Sequence, residues 1–167
     1  MLDIAIEADP EWDSSTGWDA LVRAAAESAI AESRYPQLIS ADRMVELSVR
    51  LTSDDEVRAL NAQWRGKDRP TNVLSFPLAE QVELAAAAAD GPELMLGDIV
   101  LARGVCVAEA TDKAVPVEAH ATHLLVHGTL HLLGYDHGND DAATDMEARE
   151  TRALARLGLA DPYAENA

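Results

Sequence analysis

The chain has 167 residues, of which 48% are hydrophobic and 4% aromatic, and thirty acidic against thirteen basic residues give a net charge of −17. That length suits one domain spanning 1–167 that buries about two-thirds of its unfolded surface. The acidity excludes a protein that grips nucleic acid over its whole surface, because phosphate contacts need Lys and Arg.

Leu2, Ile4 and Ile6 alternate with Asp3, Ala5 and Glu7, which predicts a half-buried strand over 2–7. Residues 17–33, with Trp18, Leu21, Val22, Ala25 and Ile30, read as an amphipathic helix ended before Pro36. Val45, Leu47, Val49 and Leu51 give a second strand over 43–51. Ser53-Asp54-Asp55-Glu56 is a capping box that opens a helix running to about Trp64. The loop Arg65–Asn72 carries Arg65, Lys67 and Arg69, close in sequence to Arg58 and Arg50. A local basic patch on an acidic body can hold a short strand of RNA while the body repels it elsewhere.

Val73–Phe76 is a short strand closed by Pro77, which suits a sheet edge or a strand end. Residues 78–93 read as an inserted surface loop, with a helical turn allowed. A fourth strand covers 94–101, and a helix over 102–113 is expected to turn Val105, Val107 and Ala108 inward. Pro116 separates it from a histidine-bearing helix over 117–133. A last amphipathic helix covers 140–157, with Met146, Ala153, Leu154 and Leu157 on its apolar side, and the tail 161–167 is expected to fray. The fold class expected is α+β: one small mixed four-stranded sheet packed with about five helices, the histidine helix buried in the core.

No run of 18 apolar residues exists and the N-terminus lacks the basic and apolar regions of a signal peptide. Cys106, the sole cysteine, allows no internal disulfide. A cytoplasmic protein with no membrane partner is expected.

The chemistry concentrates between His127 and His137. Leu124, Leu125, Val126, Leu130, Leu132 and Leu133 make the segment apolar nearly all round, the mark of a buried helix. His127 and His131, four apart, point the same way. Gly134 can stop the helix in the left-handed conformation, so that the chain turns back and brings His137 to the other two. Burying three unpartnered imidazoles would cost several kcal/mol, by rough transfer values. Three converging imidazoles with an open fourth position are the pattern of a catalytic zinc site, and nickel or copper would also suit three nitrogens. The spacing matches that of the metzincin proteases down to Gly134, yet Gly128 stands where their glutamate base belongs. The segment therefore reads as hydrolytic without reading as a peptidase.

Three stretches carry a family resemblance: His123 through His137, Asn61-Ala62-Gln63-Trp64-Arg65-Gly66-Lys67-Asp68-Arg69-Pro70-Thr71-Asn72-Val73-Leu74-Ser75-Phe76-Pro77, and Leu96-Gly97-Asp98-Ile99-Val100. Together, over about residues 40–157, the chain resembles the YbeY family of rRNA-maturation endoribonucleases. The resemblance implies single-stranded RNA, an rRNA precursor, as substrate. It implies a place in 16S rRNA 3′-end maturation and ribosome quality control, with the small ribosomal subunit and its assembly factors as partners and no DNA. It puts the family's arginine on Arg65, whose planar fork matches a phosphate. The expected catalytic set is Arg65, His127, His131 and His137, with zinc on the three histidines. His123 reads as a residue behind the ligands, a proton shuttle or a core histidine, and His120 as nearer solvent. Asp136 could orient a ligand or cap the turn, and Asp98 reads as structural, near a strand end. Activated water or the ribose 2′-hydroxyl could attack the phosphate, and the sequence does not choose. The rival reading is a ribosome-assembly factor with a structural zinc and little nuclease activity.

Overall fold

The computed structural model describes residues 1–85 and 92–164. Four strands, β1 (Leu2–Ala8), β2 (Val45–Thr52), β3 (Val73–Pro77) and β4 (Leu94–Ala102), form one sheet in the order β1-β2-β4-β3. β1 pairs with β2 and β2 with β4 in parallel, while β3 runs antiparallel to β4 at the edge. Parallel neighbours need long crossovers, and helices α1 (Trp18–Ala31) and α2 (Asp54–Arg65) lie within the two that this sheet requires. The remaining helices are α3 (Gln81–Ala85), α4 (Arg103–Lys113), α5 (Val117–Leu132) and α6 (Asp140–Arg156). The fold is the α+β arrangement expected, with α3 as a sixth helix.

One face of the sheet makes the main core. Val45, Leu47, Val49 and Leu51 are all buried there, with Ile4 beside them on β1 and Ile99 and Leu101 on β4. Above them lie α1 and α5, contributing Val22, Ala25, Ala29, Ile30, Leu125 and Leu130. α5 touches α1, β3, β4, α4 and α6, which is why its sequence is apolar on every side. The other face is covered only in part: Val57 on α2 packs with Leu74, Val100 and Ala102. Trp64, at the end of α2, is left 65% exposed.

Several local expectations change. Ser53 Oγ accepts from the Glu56 backbone N–H at 3.2 Å, as a cap should. The Glu56 carboxylate does not return the bond; it takes the Thr52 hydroxyl at 2.5 Å and Arg50 at 3.0 Å, stronger partners nearby. On α4 the inward residues are Cys106 and Ala110, whereas Val105 joins the smaller cluster and Ala108 is exposed. The helix leaves β4 with no intervening loop, so the strand fixes its phase. The segment after β3 is not wholly a surface loop: α3 drives Leu84 into the core at 1% exposure, and residues 86–91 lie outside those described. Of the tail expected to fray, Asp161–Ala164 is tied down. Asp161 Oδ1 accepts from the Tyr163 N–H at 2.8 Å and from Thr151 Oγ1 at 3.2 Å. Residues 165–167 lie outside the description.

Candidate metal centre

The site is built on the last turns of α5. His127 and His131 stack one turn apart with ring centroids 4.5 Å from each other, and their Nε2 atoms stand 3.0 Å apart. The helix ends in a Schellman motif: Gly134 has φ +92°, its N–H bonds to the His131 carbonyl, and the Tyr135 N–H reaches back to the Leu130 carbonyl at 3.1 Å. That reversal returns His137 to within 5.7 and 5.3 Å of the other two rings. Tyr135 anchors the turn. It is buried, its hydroxyl accepts from Arg34 N at 2.8 Å and Nε at 3.1 Å, and Arg34 and Arg149 lie on its ring. Asp136 caps the turn, taking the Gly138 N–H at 3.2 Å.

One ligand atom from each histidine falls within 4.8 Å of the others, so the group can hold a metal ion. Tetrahedral nitrogens at the usual zinc distance stand about 3.3 Å apart, and small ring movements bring this set there. Burial, then the nearby His127 and His137, push His131 down to about 4, so it meets a cation as a neutral imidazole.

Behind His127 lies a residue that the sequence reading missed. Glu150 of α6 is fully buried and accepts hydrogen bonds from His127 Nδ1 and from the Tyr163 hydroxyl. Burial alone would raise its pKa, but bonds from His123, His127 and Tyr163 outweigh it and hold the carboxyl at about 2. The signal was present: Glu150 falls on the buried side of α6, between Met146 and Ala153, where an unpaired acid is costly. His123 sits at the edge of this group, its Nε2 3.3 Å from Tyr163 Oη and 3.7 Å from Glu150 Oε2.

The three histidines face a cavity of about 330 Å³ lined also by Arg65, Asn72, Val73, Ser75 and Pro77. Arg65, at the end of α2, donates from Nη2 to the Ser75 carbonyl at 3.0 Å, which holds it to the rim of this cavity. A second cavity of about 420 Å³ shares Arg65, Asn72 and Val73 and adds Lys67 and Arg69. The basic patch is smaller than expected. Arg58 is spent on Asp68 at 2.8 Å, and Arg50 on Glu56 and Glu7. Neither arginine lines either of these cavities, so closeness in sequence did not place them in the patch.

His120 is not near solvent; it is 3% exposed. Its Nε2 lies 2.8 Å from Glu109 Oε1, which also takes Asn72 Nδ2 at 3.0 Å. Burial depresses His120 despite the carboxylate, while the His120 and Asn72 bonds hold Glu109 below its usual range against the cost of its own burial. Asp98 lies in the middle of β4, not near its end, opposite Phe76 and Ser48, and takes the Ser48 hydroxyl.

The family model described as endoribonuclease YbeY matches residues 9–158. The chain belongs to the YbeY family. The match is wider than the motif-bearing stretch and takes in α1 as well. The endoribonuclease YbeY of Rhizorhabdus wittichii is 53% identical over 166 residues, covering 98% of both chains. That of Sphingopyxis alaskensis is 49% identical and covers 99% of both. The solution structure of TM1509 from Thermotoga maritima shares the YbeY-like fold, with a TM-score of 0.54 at 24% identity, over 99% of this chain and all of that one. No helix among the described residues is long and apolar enough to cross a membrane.

Proposed function

We propose that this YbeY family member is a zinc-dependent endoribonuclease, one domain that cuts single-stranded RNA in the cytoplasm. Its setting is 3′-end maturation of 16S rRNA and ribosome quality control, with the small subunit and its assembly factors as partners. One observation carries the reading: the three-histidine group and Arg65 line the same cavity. The names of its relatives supply the substrate class.

His127, His131 and His137 would hold the ion, and zinc there supplies Lewis-acid activation of a phosphoryl oxygen or of water. Arg65 grips the scissile phosphate with a planar, always-charged fork, steadied by its bond to Ser75. Lys67 and Arg69 extend the positive rim into the neighbouring cavity and draw the flanking backbone in. A structural zinc is enclosed by four protein ligands, whereas this set has three among the described residues and opens on a cavity. That favours catalysis over a purely structural metal.

The test is cleavage of a labelled single-stranded RNA by wild type and by His131→Ala, purified identically. Loss of cutting in the variant supports a catalytic metal. Equal cutting by both marks a contaminating nuclease and sinks the reading. If neither cuts free RNA or ribosomal particles, the assembly-factor reading replaces it.

A further inference from the structure

Glu150 is a fully buried carboxylate whose ion-pair partners are histidines rather than Lys or Arg. Burying such a charge is costly unless every lone pair is used well. Both oxygens are used. Oε1 takes the N–H of His127 Nδ1, and Oε2 takes the hydroxyl of Tyr163. His123 closes the group on the far side.

A neutral imidazole has one N–H. If Nδ1 carries it toward Glu150, Nε2 keeps a bare lone pair, and that is the atom 3.0 Å from His131 Nε2. We propose that Glu150 is a positioning residue for the metal centre, fixing the tautomer and ring orientation of His127, and that Tyr163, from the segment after α6, locks the Glu150 carboxylate in place. This rests on the reading that the three histidines hold a metal ion.

The geometry gives each partner a separate task. Glu150 reaches His127 from α6, a different element from the one that bears His127 and His131. The spacing between the histidines alone therefore does not set the direction of the His127 ring. Tyr163 is anchored at its own backbone by Asp161, so its hydroxyl arrives in a defined direction. A hydrogen-bonded carboxylate also makes the ligand more basic, and loss of such a partner typically weakens metal binding by about 10- to 100-fold.

The experiment is zinc affinity, by competition with a chromophoric chelator, for wild type, Glu150→Gln, Tyr163→Phe and His131→Ala, with melting temperatures of the metal-free proteins measured alongside. Nitrogen-15 shifts of the His127 ring report its tautomer. Glu150→Gln keeps the shape and removes the charge; the expected result is about tenfold weaker zinc binding and mixed His127 tautomers. Tyr163→Phe, a half-exposed and mild change, is expected to weaken binding by a smaller factor and keeps the test alive if Glu150→Gln does not fold. Zinc affinity within twofold of wild type in both variants, with only the melting temperature lowered, would overturn the proposal and leave Glu150 as a structural acid. If wild type itself binds no better than His131→Ala, the metal reading fails instead.

Discussion

Gly128 lies against Ile99 of β4 so closely that a Cβ at 128 would stand 3.1 Å from Ile99 Cγ2. The same residue is the one that separates this histidine motif from that of the metzincins. A side chain at 128 would press on Ile99, so its absence bears on packing as well as on chemistry. α5 approaches the sheet at that point, and the approach leaves the neighbouring histidines on the cavity side.

Gly128→Glu is therefore expected to unfold the protein more easily rather than create a peptidase. Overpacking costs about 1–3 kcal/mol, and an unpaired buried carboxylate adds to it. Chemical denaturation measures the lost stability, and casein cleavage any peptidase activity. A stable variant that cleaves casein would refute the packing account.

Arg65→Lys keeps a positive charge but loses the planar fork. If phosphate grip depends on two parallel N–H bonds, lysine will not substitute, and kcat/KM on single-stranded RNA should fall about 100-fold, nearly as far as for alanine. Full activity with lysine would reduce Arg65 to a point charge.

Tyr135→Phe removes the acceptor that holds Arg34, and with it the brace on the turn that carries His137. A loss of about 1–2 kcal/mol in stability is expected, together with weaker zinc binding. Unfolding curves and chelator competition on the same sample check both; unchanged zinc affinity would show that the turn holds its shape without Arg34.

Acid should destabilise the metal-free protein in two windows. His120 and His131 both titrate below the ordinary 6.5, chiefly from burial, His131 at about 4. Below pH 6.5 the unfolded chain binds protons that the folded one refuses, so stability falls as pH drops from 7 toward 4. Glu150, held at about 2 against 4.5, extends the loss below pH 4.5 with the same sign. Urea midpoints at pH 7.5, 6 and 5 should decline steadily; a flat profile would contradict the assignment.

Stripping the metal should silence the enzyme without unfolding it. The core of Val45, Leu47, Ile99, Leu125 and Leu130 contains no metal ligand. Far-UV circular dichroism should survive chelation while cleavage stops. Collapse of the fold on chelation would instead favour a structural zinc.

Much of this was legible in the chain itself. Alternation of period two marked β1 and β2, Ser53 marked the start of α2, and Gly134 marked the reversal that returns His137, because each is a local rule of backbone geometry. The three histidines were legible for the same reason, since four residues make one helical turn.

Tertiary structure alone decided the partners that meet across elements. Glu150 lies 23 residues from His127 and Tyr163 a further 13 beyond it, and no periodicity links them. His120 was buried by α4 bringing Glu109 to it, and Arg50 and Arg58 were paired with acids placed beside them, Arg58 with Asp68 of the basic loop itself. The sequence alone determined which residue types line each element and which face they share. Which of them meet depends on how elements far apart in the chain pack, and that was settled by burial and charge pairing in the folded core.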